Sequence, residues 1–290
     1  MANARLYFVH ALSPLHPGTG QGTGVIDLPI AREKATGIPY LPGSSVKGTL
    51  RDSGIITDVK RFFGPDTNGA DEHAGAAQFA DARLLLLPVR SLRGTFAYVT
   101  SPYLLRRMSR DAADVGAGAP ATIPVPTQRR RALLSGDALL YQNQQVVLED
   151  LDLEKEANEH VAAWAKWIGE HAFAEQPERD MLNGRFCIVH DDVLSFLLTT
   201  ATEVVARVRL QPDQKTVAEG ALWYEEALPA ETLLAGLIFA QTTKDRNGVA
   251  YTAAQALTAL ANVSGRTLQF GGKATVGRGL CRVQIAGGAK

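Results

Sequence analysis

The sequence predicts an α+β fold, from three observations. Strand-like and helix-like segments intermix along the 290 residues without a strict βαβ repeat. The first and last strand patterns each abut a glycine-rich loop, which suggests one compact sheet domain with long insertions. Two half-domains are the alternative. The composition, 46% hydrophobic and 21% charged, is that of an ordinary globular chain able to bury a large core. No apolar run approaches the roughly 20 residues of a membrane helix, so no membrane partner is expected. The start, Met1-Ala-Asn-Ala-Arg-Leu-Tyr7, lacks the charged-then-apolar layout of a signal peptide. Cys187 and Cys281 stand far apart in apolar segments, as core thiols of a reduced compartment would. The expected location is therefore cytoplasmic.

Taken in order, residues 5–12 alternate as a first strand that delivers a glycine run at its end. Ser44 or Ser45 suits the N-cap of a helix from residue 46 to about 52. Residues 64–75 form a polar insertion, 78–89 an apolar strand and 94–100 its neighbour. Ser101-Pro102 opens a helix whose cationic face is Arg106, Arg107 and Arg110. Residues 114–127 hold Gly, Ala and Pro without period and read as a mobile loop. A strand at 144–148 and an amphipathic helix at about 153–171 follow, with Trp164, Trp167 and Ile168 on one side. A short helix at 193–198 follows Asp191, read as its cap. Residues 202–210 and 216–225 form a β-hairpin, 233–241 a strand, 250–261 a helix and 278–285 the last strand.

The segment from Leu15 to Arg51 says most about function. Gly18, Gly20, Gly22 and Gly24 fall at every second position and let the backbone approach a bulky partner closely. The run ends in a lone carboxylate, Asp27. A second turn, Gly43-Ser-Ser45, opens the helix that carries Lys47 and Arg51. Exposed backbone donors, a helix N-terminus and cations suit a polyanion. Residues 272–277 have the glycine spacing of a phosphate-binding P-loop, but Arg278-Gly279 stand where Lys-Ser/Thr belong. The first glycine run misses the dinucleotide fingerprint by one register. Mononucleotide and NAD chemistry are thereby disfavoured.

Thirty cations balance thirty anions, which does not favour a free-standing nucleic-acid binder. The charges are patchy, however. Cations gather at 106–110, 129–131, 244–246 and 273–278, and anions at 149–159 and at Glu225-Glu226. Such a chain can meet a polyanion on one face and a neighbouring protein on another. His190-Asp191 lacks a second histidine cluster to make a metal site, and His73 reads as a solvated loop residue.

Four stretches carry a resemblance. Leu15-His-Pro-Gly-Thr-Gly20, Gly24-Val-Ile-Asp-Leu-Pro-Ile-Ala-Arg-Glu33, Gly37-Ile-Pro-Tyr-Leu-Pro-Gly-Ser-Ser-Val-Lys-Gly-Thr-Leu-Arg51 and Phe270-Gly-Gly-Lys-Ala-Thr-Val-Gly-Arg-Gly279 resemble the RAMP superfamily of CRISPR proteins. The first block is similar to the repeated backbone subunit of the type III-B (Cmr) effector complex. The likeness is specific over about the first fifty residues and the last twenty. It implies a modified ferredoxin-like, RRM-like palm with a β-hairpin thumb and helical insertions, with thumb and fingers roughly at 101–200 of a single domain spanning 1–290. It also implies CRISPR RNA and target RNA as partners, other type III-B subunits, and self-association into a helical filament whose thumbs kink the guide–target duplex. Target RNA would be cut at the kink with a divalent metal ion present, magnesium or manganese.

The resemblance maps the catalytic, metal-positioning aspartate onto Asp27 and a nearby histidine onto His16. An acidic element before a late Leu-Pro maps onto Glu225, although Ala227 stands where an aromatic is expected. Gly18, Gly20, Ser44, Ser45, Lys47, Arg51, Gly271, Gly272, Lys273 and Arg278 become the RNA-binding set, reading backbone rather than bases. A lone carboxylate is a weak base near neutral pH, which favours metal positioning over proton abstraction by Asp27. Two alternatives stand beside this endoribonuclease: a purely structural filament subunit, and a standalone RAMP ribonuclease that processes precursor CRISPR RNA.

Overall fold

Strand β1 (Ala4–Ala11) is apolar on both faces, and its residues alternate between two cores: Tyr7, Val9 and Ala11 face one, Leu6 and Phe8 the other. A strand of that pattern belongs in the middle of a sheet covered on both sides. The structure, a computed structural model, describes residues 3–20, 22, 24–65, 74–210, 217–244 and 248–286. After β1 come β2 (Tyr40–Leu41), α1 (Gly43–Asp52), α2 (Val59–Phe63), β3 (Ala77–Phe79), β4 (Ala82–Arg90), β5 (Phe96–Thr100) and α3 (Pro102–Val115). The middle of the chain supplies β6 (Arg131–Leu134), β7 (Gln145–Leu148), β8 (Leu151–Glu156), α4 (Val161–Ala172), α5 (Gln176–Arg185), β9 (Phe186–Val189) and α6 (Asp191–Thr200). The last third holds β10 (Glu203–Leu210), β11 (Val217–Ala227), β12 (Leu233–Ala240), β13 (Thr243–Lys244), β14 (Ala250–Tyr251), α7 (Ala253–Ala261), β15 (Thr267–Gln269) and β16 (Leu280–Ala286).

Twelve strands form one mixed sheet, along the path β15-β16-β1-β12-β4-β5-β9-β6-β8-β7, with β2 on β4 and β3 on β12. First and last strands are thus neighbours, which the sequence did not foretell: β1 lies antiparallel between β16 and β12, with Phe8 opposite Gln284 and Ala235. Leu105, Met108, Trp164 and Ile168 of α3 and α4 cover one face. Val46, Leu50, Leu194, Leu197 and Leu260 of α1, α6 and α7 cover the other. This is the expected α+β fold, consistent with a ferredoxin-like palm. β10 and β11 pair with each other outside the large sheet, and β11 adds an isolated parallel bridge from Glu225 to Leu28. No helix among the described residues is long and apolar enough to cross a membrane.

Several expectations need correction. The single strand expected at 78–89 breaks at Ala80-Asp81, because the Asp81 carboxylate turns aside to accept the Gly43 amide at 2.8 Å. Helix α1 consequently starts at Gly43 and is capped from another segment, so neither Ser44 nor Ser45 is its N-cap. Residues 153–156, expected to begin the long helix, instead belong to β8, which pairs with β6 and β7, and only α4 is helical. Of residues 114–127, the first two belong to α3, and the rest is tied to α4 where the indole N–H groups of Trp164 and Trp167 donate to Thr122 O and Ala117 O. Arg107 leaves the cationic face to pair with Glu33. Asp191 caps α3 through the Tyr103 amide rather than its own helix, whose cap is His190. Strands β6 and β9 and helix α5 carried too little periodicity to be foreseen. His73, most of the 64–75 insertion and the 211–215 turn lie outside the described residues. Both cysteines are buried and free, and burial pushes each thiol up to about 12.

Candidate active site

Three segments meet where β1 hands the chain to its glycine run. They are the first loop (residues 12–30), the base of the β10–β11 hairpin, and the second glycine loop before β16. Leu15 exchanges main-chain hydrogen bonds with Leu228, just beyond β11, at 2.8 Å each way. The Gly272 amide donates to His16 O at 3.0 Å, tying the two loops together.

His16 is the wedge between them. It is buried, and its Nδ1–H donates to Glu226 O at 2.6 Å. A Cβ at position 18 would come within 2.5 Å of its Nε2, and one at 271 within 2.4 Å of its carbonyl oxygen. Position 271 also sits at φ +71°, so glycine is required there by space and by backbone alike. These contacts bring His16 to the hairpin's main chain and not to the Asp27 carboxylate.

Asp27 ends the first loop. Its carbonyl accepts the Gly22 amide at 2.8 Å and its Oδ2 accepts the Tyr224 amide at 2.8 Å. The side chain is exposed, and Oδ1 accepts no hydrogen bond from any described residue. One oxygen is therefore anchored by the backbone of β11 while the other faces solvent. Beside it lies a groove of about 660 Å³, lined by Val25, Ile26, Pro29, Arg32, Ser195 and Leu198 among others.

The next two residues of β11 are carboxylates on opposite faces of the hairpin, and both are buried at 3% exposure. Glu226 serves the first loop, accepting from Arg32 Nη2 at 2.5 Å, Ile30 N at 3.1 Å and Thr202 Oγ1 at 3.0 Å. Glu225 faces the second loop. Its Oε1 takes Lys273 Nζ at 2.8 Å and Trp223 Nε1 at 2.7 Å, and Arg207 Nε lies 3.4 Å from Oε2. Burial by itself would raise the Glu225 carboxyl. The Lys273 and Trp223 hydrogen bonds, with the Lys273 and Arg207 charges, outweigh it and hold the group below the usual carboxylate range. The buried Oε2 accepts no hydrogen bond from any described residue.

The expected RNA-binding set divides likewise. Ser44 and Lys47 sit on the early turns of α1 and line a groove of about 440 Å³, and Lys47 has no charged partner among the described residues. Arg51 donates to Gly64 O at 3.0 Å. Thr49 Oγ1 reaches Gln269 O at 3.4 Å, which sets α1 against the second loop. Lys273 is turned to Glu225. Arg278 is 7% exposed, with Nη1 3.7 Å from Glu203 Oε2 and with Nε and Nη1 lacking hydrogen-bond partners. Gly18, Gly271 and Gly272 supply loop backbone around His16, whereas a Cβ at Gly20 would meet nothing within 4 Å.

Among the described residues no three His, Cys, Asp or Glu side chains gather as a metal centre. Asp27 Oδ1 is one hard oxygen open to solvent, which fits a cation that keeps most of its shell in water and phosphate oxygens. The sequence singled out Asp27, His16 and Glu225. It missed Trp223, the Tyr224 amide and Glu226, for which the adjacent Glu-Glu pair ahead of Leu-Pro was the only available signal.

A family model, that of the RAMP superfamily, matches residues 8–282. A CRISPR system Cmr endoribonuclease, Cmr4 of Pyrococcus furiosus, is 36% identical over 97% of this chain and 95% of its own length. The crystal structure of oligomeric Cmr4 from the same organism superposes with a TM-score of 0.76 at 28% identity, covering 99% of each chain. The cryo-EM structure of a type III-B Cmr-beta complex bound to cognate target RNA contains a chain with the same fold. Its TM-score is 0.73 at 20% identity, over 97% of this chain and 96% of that one.

Proposed function

The chain belongs to the RAMP superfamily, and on that premise we propose that it is the repeated RNA-binding backbone subunit of a type III-B Cmr effector that cuts guide-paired target RNA through Asp27. The observation that carries this reading is the setting of Asp27. Its exposed carboxylate closes a glycine loop, with one oxygen fixed by the Tyr224 amide and the other open. The Pyrococcus relative, described as an endoribonuclease, and the neighbours found as an oligomer and in a target-bound complex support the activity and the partners.

Guide RNA would lie along the glycine loops, where backbone amides and Lys47 meet phosphates without reading bases. Such a surface serves any guide sequence, and copies of the chain would repeat along it. Cleavage proceeds by attack of the target's own 2′-oxygen on the adjacent phosphorus. The P–O5′ bond breaks, the 2′-hydroxyl proton leaves and a proton is delivered to the departing 5′-oxygen, giving a 2′,3′-cyclic phosphate and a 5′-hydroxyl. The geometric demand is in-line alignment of 2′-oxygen, phosphorus and 5′-oxygen at a locally bent nucleotide. The chain's part is to fix Asp27 beside that phosphate. A magnesium or manganese ion, held there by Asp27 and RNA oxygens, would supply the positive charge that offsets the growing charge on phosphate.

The test is target cleavage by the assembled, guide-loaded complex carrying Asp27→Asn. The amide keeps size and the Tyr224 contact while removing charge. Cleavage should fall at least about a hundredfold, while guide binding and target capture hold or tighten slightly, since a negative charge beside phosphate is lost. EDTA should reproduce the loss in the unmodified complex, and a 2′-deoxy nucleotide at the cut site should block it. Undiminished cleavage by Asp27→Asn would move the active site elsewhere. An unmodified complex that captures target and never cuts it would favour a purely structural subunit.

A further inference from the structure

The second glycine loop contains an oddity of its own. Four of its residues adopt left-handed backbone, and three are glycines: Gly271, Gly277 and Gly279. The fourth is Lys273 at φ +69°, a conformation that strains a residue with a side chain and persists only if its surroundings hold it. What holds it is Glu225, at 2.8 Å. Arg278, from the same loop, reaches Glu203 on the other hairpin strand at 3.7 Å. The loop thus grips both strands at the hairpin's base, on the face opposite the Glu226–Arg32 pair.

The grip has a short route to Asp27. Glu225 follows Tyr224, whose amide anchors Asp27 Oδ2. Leu28, next to Asp27, donates to Tyr224 O at 3.0 Å and accepts the Glu226 amide at 3.0 Å, clamping this stretch on both sides of Glu225. We propose that Glu225 is a positioning residue: locked by Lys273 and Trp223, it sets the β11 backbone that aims Asp27, and so makes the second glycine loop a mechanical partner of the cleavage site. This rests on the assignment of cleavage to Asp27. Glu225 touches no substrate in this arrangement. Lys273 spends one of its three ammonium donors on the lock rather than standing as a free phosphate ligand.

The test compares guide-loaded complexes carrying Glu225→Gln, Lys273→Met, both together, Lys273→Arg and, as reference, Asp27→Asn. Single-turnover cleavage at saturating target, target KM and guide affinity are measured for each. The lock predicts a loss of about ten- to a hundredfold in rate for Glu225→Gln and for Lys273→Met, with KM and guide affinity within about twofold. The double variant should be no slower than the worse single variant, because both remove one interaction, and Lys273→Arg should recover most of the rate. Trp223, hydrogen-bonded to Glu225 Oε1 at 2.7 Å, gives a readout apart from activity. Its fluorescence, isolated as the difference from a Trp223→Phe complex, should shift in Lys273→Met even without target.

If Lys273→Met weakens guide binding and leaves the saturated rate alone, Lys273 is only a phosphate ligand and the proposal fails. It also fails if the two losses multiply, or if Glu225→Gln and Lys273→Met both cut at the unmodified rate while Asp27→Asn is dead. If Asp27→Asn itself cuts normally, what fails is the underlying assignment of the cleavage site.

Discussion

Glu225 and Glu226 are neighbours in sequence and belong to different halves of the site. In a strand, successive side chains point to opposite faces, and here each face of the hairpin base is covered by one glycine loop. Exposure of 3% on both residues follows from that geometry. Glu226, with three donors on its two oxygens, is the more costly to remove. In Glu226→Ala the Arg32 guanidinium keeps its bonds to Gly37 O and Leu198 O and loses its counter-charge. With Arg32 one-quarter exposed, removing its charged partner costs about 1–3 kcal/mol. A urea unfolding curve should show its midpoint lowered with the slope unchanged. Asp27 stood out in the sequence as a carboxylate closing an alternating-glycine run that resembles a known family. The amide bound to its Oδ2 did not stand out, because Tyr224 is 197 residues away and contributes backbone rather than a side chain.

At the scale of elements, segments with a clear local pattern were read correctly. β1, β5, β12, β16, α3, α6 and α7 all lie close to expectation. Failures came where a segment's partner is remote. Leu151 to Glu156 has polar residues enough for a helix surface, yet it lies between β6 and β7, and sheet pairing wins. The 116–127 segment looked mobile because Gly, Ala and Pro suggest nothing to hold it, and two indoles from α4 hold it by its backbone carbonyls. Trp164→Phe keeps an aromatic in that core and removes one of those hydrogen bonds, worth about 1 kcal/mol. Limited proteolysis should then cut within 116–127 about fivefold faster, the rate following the population of the opened segment. Cleavage at the unmodified rate would mean the indole bond does not hold the loop.

Across the whole molecule, zero net charge conceals pairing at long range. The acidic pair and the second-loop cations, read as separate clusters, meet at Glu225–Lys273, and Arg107 and Arg131 find Glu33 and Glu154. Another such junction ties β1, β5 and the turn before β12. Glu231 takes His10 Nε2 at 2.9 Å and Tyr98 Oη at 2.6 Å. Burial alone would raise the Glu231 carboxyl, but those two hydrogen bonds and the His10 and Arg185 charges hold it below its ordinary value of 4.5. A carboxylate whose folded pKa is depressed contributes stability above the unfolded value and loses it as pH falls through the folded one. Unfolding free energy should therefore decline from about pH 4.5 downward, and Glu231→Gln should flatten that decline; an unchanged acid limb would remove Glu231 from the account. The sequence alone determined the α+β class, both glycine loops and the position of the aspartate that closes the first. All of these rest on local periodicity or on motifs contiguous in the chain. Only the tertiary structure decided that the two ends of the chain pair in one sheet, which charges are paired, and which carboxylates are buried and which exposed. Those properties depend on partners tens to hundreds of residues away, and on which face of a strand each side chain finds already covered.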